Sequence, residues 1–193
     1  MLAAFDGRLD TGRFGIHHVG CAEHRAATCV DQSLKPEFIP RIDEFMADIN
    51  FVETFYNTQP AKAQTLPVAI PTKSATREWR SYGRRFNAID KNYSIFVNET
   101  DNDLIGNVPT YSLTKAMTNI HAKIEIFFDS IEIDGPTSHL LLMSYIKLDH
   151  ALFVIHFGCD PNVNSSKTIK SYCRRLRNIM GKSYGQTVEV VWQ

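Results

Sequence analysis

The feature that most constrains this chain is an apolar period between residues 112 and 131. Leu113, Met117, Ile120, Ile124, Phe127 and Ile131 recur at alternating spacings of four and three. Such spacing puts six large side chains on one stripe of an α-helix, and that stripe must be covered by a partner surface. Ser112 is placed to cap the helix and Asp134-Gly135-Pro136 to stop it. A second stripe (Ile42, Phe45, Met46, Ile49, Val52 and Tyr56) follows Pro36 and Pro40. Its acidic first turn, Asp43 and Glu44, suits the positive end of the helix dipole. Trp79, Tyr82, Phe86 and Ile89 make a third stripe, with Ser74 as its cap. These patterns predict helices near 37–57, 74–88 and 112–131.

The C-terminal part reads differently. Ala151 to Phe157 (ALFVIHF) is an apolar run bounded by turn formers, which predicts a buried strand, while Leu140 to Leu148 suits helix and strand equally. Asp160-Pro161-Asn162 interrupts the chain, Asn164 or Ser165 can cap a helix over 165–180, and Gly181 is placed to end it. The β-branched, aromatic run Thr187 to Trp192 then predicts a second strand, parallel to the first through a right-handed crossover. The expected fold is α+β: a helical N-terminal half packed on a small sheet with a C-terminal βαβ unit. Three regions are expected. Residues 1–34, broken by Gly7, Gly12, Gly15 and Gly20, form an irregular segment; 35–108 are mostly helical; 109–193 form the α/β region. Asn57 to Pro71, with three prolines, reads as a loop, and the polar stretch Asn98 to Pro109 is the clearest internal boundary.

Composition excludes several classes. Of 193 residues, 44% are hydrophobic and 22% charged, which rules out a disordered or fibrous chain. No uninterrupted apolar run approaches a membrane span, and Met1 to Gly7 do not resemble a secretory signal. The four scattered cysteines (Cys21, Cys29, Cys159, Cys173) suit a reducing compartment, so a cytoplasmic protein without membrane contact is expected. Net charge is zero, but its distribution is uneven. Residues 161–193 carry Lys167, Lys170, Arg174, Arg175, Arg177 and Lys182 against Glu189 alone. On the expected helix, Lys167, Lys170, Arg174 and Arg177 share one flank, beside an apolar stripe of Ile169, Tyr172, Cys173, Leu176, Ile179 and Met180. Arg77, Arg80 and Arg84 repeat the spacing. Cations unmatched by acids on their own helix are what phosphate contacts require, although charge runs are also common on plain solvated faces. These seven residues are the candidate nucleic-acid contacts.

Other chemistry is weaker. His17, His18, Cys21, His24 and Cys29 put five possible zinc ligands in 13 residues, but without a Cys-x2-Cys pair, so an ordinary loop is the expectation. Cys21 with His17 or His24 could form a nucleophile pair, with no third residue to orient it. His156 and His121 fall in apolar surroundings and read as structural histidines rather than ligands. Phosphate-binding glycine loops, His-Glu-x-x-His and Gly-x-Ser-x-Gly do not occur, and no cofactor is implied.

The segment ALFVIHFGCDPN, the basic helix SSKTIKSYCRRLRNIMG and the run TVEVVWQ together resemble the replication-initiator-like proteins of filamentous phages and related prophage elements. The resemblance covers about the last 45 residues. It implies a strand, a Ser-led basic helix and a strand, followed in that family by a His-hydrophobic-His metal motif and a tyrosine that cuts DNA. No such His pair occurs before Gln193, and the family's basic residue and Asp fall on His156 and Asp160. The implied function is nucleic-acid binding in a phage or mobile element without the endonuclease motif. The competing expectation is a small mobile-element protein that binds and inhibits a host protein, of defence or replication; a Cys–His enzyme ranks third.

Overall fold

The computed structural model describes residues 22–72, 78–98, 104, 106–134 and 138–191, with side chains for 25–72, 81–98, 104, 106–131 and 140–184. Among these residues the chain is helical throughout and forms no strand. Its elements are α1 (Ala22–Ser33), a 3-10 turn (Pro36–Phe38), α2 (Ile42–Thr58), α3 (Pro60–Ala63), α4 (Glu78–Asn98), α5 (Tyr111–Asp134), α6 (Ser138–Gly158) and α7 (Ser166–Val191). The α+β expectation is therefore corrected to an all-helical bundle, without sheet or βαβ unit.

The strongest sequence period lies at the centre. All six residues of the α5 stripe are buried, and α5 packs against α1, α4, α6 and α7. Helix α4 runs antiparallel to it: Phe86 meets His121, Asp90 meets Lys115, and Tyr93 packs at a tilt on Tyr111. Helix α2 lies along α4, with Phe45 against Phe86 and Tyr56 against Phe96. Beneath this layer Arg85 is buried and pairs with Glu53 at 2.6 Å and with Asn50. The proline-rich stretch holds the short α3 and is tied down by buried Asn92, whose amide donates to the Val68 carbonyl at 2.6 Å and accepts from its N–H at 3.2 Å.

Helix α7 carries the stripe expected of it, with Ile169, Tyr172, Cys173, Leu176 and Met180 buried and Ile179 half-buried. The stripe faces α1, α5 and α6 rather than a sheet. Helix α1, read from sequence as part of an irregular segment, is held against α7 by Arg25 on the Ser183 carbonyl and by Arg175 Nε on the Gln32 carbonyl at 3.1 Å. Its period was obscured because its inward residues, Ala26, Cys29, Val30 and Ser33, are mostly small.

Both expected strands are helical in their described residues, Trp192 lying outside them. The run 151–157 is the second half of α6, and 187–191 lie at the end of α7. An apolar run without alternation cannot separate a buried strand from a helix, so length decides. From Ser138 to Phe157 there is neither glycine nor proline, and a single inward stripe (Leu141, Tyr145, Leu148, Leu152, Ile155) crosses both halves. Gly181 does not end α7. A Cβ there would sit 3.3 Å from the Tyr145 hydroxyl, so the glycine admits α6 closely instead of capping. The stretch Leu140–Gly158 has a mean hydropathy of 1.4, long and apolar enough by composition to cross a bilayer. A bundle helix with two apolar faces meets the same criterion, and α6 has two.

Candidate nucleic-acid interface

The polar side of α7 follows from the burial of its stripe. Leaving Ile169, Leu176 and Met180 in water would forfeit roughly 1.5–3 kcal/mol each, so the cations between them are forced outward. Lys167 and Arg174 are exposed and Lys170 is half-buried, and no acid among the described residues pairs with them. Arg177 departs from expectation. Its Nε and Nη2 donate to the two carboxylate oxygens of Asp149 on α6, at 2.8 and 3.0 Å, while its guanidinium lies over Phe153. A bidentate pair of this kind occupies the fork that a phosphate would use. Arg177 therefore belongs to the α6–α7 seam.

Two cations take its place. Arg174, Arg175 and Lys182 line a groove of about 330 Å³ together with Phe38, Ser171, Asn178 and Ile179. No acidic side chain lines it. Phe38, from the 3-10 turn, is 50% exposed, and the Arg175 guanidinium lies 3.4 Å above its ring centroid. Its Nε–H donates to the Gln32 carbonyl at its edge, so the planar cation is held over the aromatic ring at the groove wall. Ser171 and Asn178 add hydrogen-bonding groups along the floor. The helix supplies most of the site by its period alone: 171, 174, 175, 178 and 182 recur at spacings of three and four.

Sequence reasoning missed Arg175, Lys182 and Phe38. The first two could have been found by extending the polar stripe around α7 instead of keeping to one flank. Phe38 comes from a distant turn and had no signal in the sequence.

The second basic stripe is only partly placed. Arg84 is exposed on α4. Arg77 and the side chain of Arg80 lie outside the described residues, as does the expected cap Ser74. Arg85, next to Arg84, is the buried partner of Glu53 and is unavailable to a ligand.

The metal and nucleophile candidates meet a similar division. His17, His18 and Cys21 lie outside the described residues, and so does the side chain of His24. Cys29 is buried, with its thiol 3.3 Å from the Ser183 hydroxyl, and burial pushes its pKa up. Burial also pushes Cys173 up to about 12 and raises Cys159. A nucleophilic cysteine needs the opposite shift, so the described thiols are packing groups. Among the described residues no three His, Cys, Asp or Glu side chains converge as metal ligands. His156 lies on α6, its Nδ1 3.1 Å from the Lys170 carbonyl. His121 is in the core, stacked on Tyr172 and edge-on to Phe86.

No family model, curated protein or solved structure matches this chain. The two segments that the phage-initiator resemblance reads as strands are helical in their described parts.

Proposed function

We propose that the protein binds nucleic acid in single-stranded form, through the α7 groove walled by Phe38. The observation that carries the reading is the joint placement of an exposed aromatic ring, the guanidinium stacked on it and two further cations, with no acid lining the groove. Single strands are held by cations that follow the phosphates and by flat groups on which bases stack. The outer plane of Arg175 and the edge of Phe38 offer such a surface, Arg174 and Lys182 flank it, and Lys167 and Lys170 extend the basic track along the helix. Double-stranded DNA fits less well, because a ring half embedded beside α7 cannot reach stacked bases.

Anisotropy titration of a labelled 15-nucleotide oligonucleotide, single-stranded or duplex, at two salt concentrations tests this reading. The single strand should bind more tightly. The triple variant Arg174→Ala/Arg175→Ala/Lys182→Ala should reduce the salt slope by about two, since each single-strand phosphate contact contributes roughly 0.7. Phe38→Ala should weaken binding by about 5- to 160-fold, the range for loss of one stacked base. Absence of binding by the wild type at low salt, or equal slopes for wild type and triple variant, would refute the proposal.

A further inference from the structure

The outward face of α6 carries a second apolar stripe that the described residues leave mostly exposed, Arg177 reaching only Phe153. The exposed residues of this helix between 140 and 158 are Met143, Ile146, Lys147, His150, Phe153, Val154, Phe157 and Gly158. Their core positions (143, 146, 150, 153 and 157) alternate in steps of three and four, the seam of a two-helix coiled coil. Phe157 is 65% exposed, and Ile126 of α5 is exposed as well. Ile126 and Lys147 line a groove of about 270 Å³ between α5 and α6.

We infer that this face is the interface of a two-fold homodimer in which α6 packs antiparallel on α6 of a second copy, with His150 on the axis. The order of the residues along the stripe favours a second copy of the same helix. The stripe from Met143 to Phe157 is centred on His150, so reversing one helix about that point sets unlike apolar groups opposite each other. Met143 then faces Phe157 of the second copy, a favourable sulfur–aromatic pairing, and Ile146 faces Val154. Lys147 falls opposite Phe153, where its ammonium can lie on the ring. A parallel pair would instead set each core residue opposite its own copy, without the sulfur–aromatic contact. Charge does not oppose the contact, because Asp149, the only acid on α6, is already neutralised by Arg177. The area also fits. Six apolar side chains at these exposures present roughly 600 Å² per copy, near the upper end for a monomer's largest apolar patch. With His150 at the centre and Lys147 on the flank the face approaches the roughly 800 Å² per partner of a standard interface.

Sedimentation equilibrium of the full chain tests the inference. Wild type should form a concentration-dependent dimer, and Phe157→Asp should raise its dissociation constant at least tenfold with an unchanged far-ultraviolet spectrum. Single-cysteine additions locate the axis with a short bis-maleimide. His150→Cys should gain a cross-linked dimer above the wild-type background, whereas Met143→Cys should not, because in the antiparallel pair its two copies lie about 21 Å apart along the helices. A wild type that stays monomeric at about 100 μM, a dimer indifferent to Phe157→Asp, or equal cross-linking through both cysteines would overturn the inference. So would a monomer that instead sediments with zwitterionic phosphatidylcholine vesicles, which would assign the face to a lipid surface.

Discussion

His121 should make the bundle sensitive to mild acid. Its ring lies in the core, stacked on Tyr172 and against Phe86, and its Nε2 is 3.0 Å from the Tyr172 hydroxyl. Burial holds its pKa down at about 3 and raises that of Tyr172, so the phenol donates and the neutral imidazole accepts. An unfolded histidine titrates near 6.5. Below that value the unfolded chain takes up a proton that the folded chain refuses, and stability falls as pH drops from about 6.5 towards 3. At roughly 1.4 kcal/mol per pH unit, the loss between pH 7.5 and pH 5 is about 2 kcal/mol. Urea unfolding followed by tryptophan fluorescence at these two pH values measures it. His121→Gln, which keeps an acceptor for Tyr172 but does not titrate, serves as the reference, so that contributions from other groups cancel. The variant should be less stable at pH 7.5 and lose about 2 kcal/mol less than wild type on acidification. Equal losses in the two proteins would show that His121 is not held neutral by the core.

Two further substitutions probe the packing around α4. Glu53→Ala strands the Arg85 guanidinium, which is 1% exposed, and should cost about 3–5 kcal/mol in urea unfolding; Glu53→Leu with Arg85→Met should recover most of that. Gly83→Ala should stabilise by about 0.5–1 kcal/mol and raise Tm by about 1–4 °C, because the new Cβ would meet His121 Cβ at an ordinary 3.5 Å and the helix loses its glycine penalty.

What was legible in the sequence tracks how each helix is covered. The α5, α2 and α7 stripes were readable because each faces the core on one side and water on the other, which writes a 3.6-residue period into the chain. Helix α6 was illegible for the opposite reason. With apolar residues on two opposite faces it has no polar side to set the period, and its second half passed for a strand. Thr187 to Val191 misled through β propensity, a weak preference that an already propagating helix overrides. The basic site was half readable. Lys167 and Arg174 stand outward as their spacing implied and Lys170 is half-buried, but Asp149, 28 residues from Arg177 and on another helix, removes that cation, and no local pattern announces it. Phe38 enters the site across the same kind of distance.

The pairing of α1 with α7 has a consequence for synthesis. Their contacts join residues 143 to 158 positions apart, and α7 completes the core for α1, α5 and α6 together. A ribosome making about 5–20 residues per second therefore leaves α1 waiting on the order of 10 s for its partner. Throughout that interval the central stripe of α5 lacks one of its walls. The nascent chain thus presents chaperone-sized apolar surface until α7 clears the exit tunnel, and its folding yield should depend on chaperone supply more than its final stability suggests.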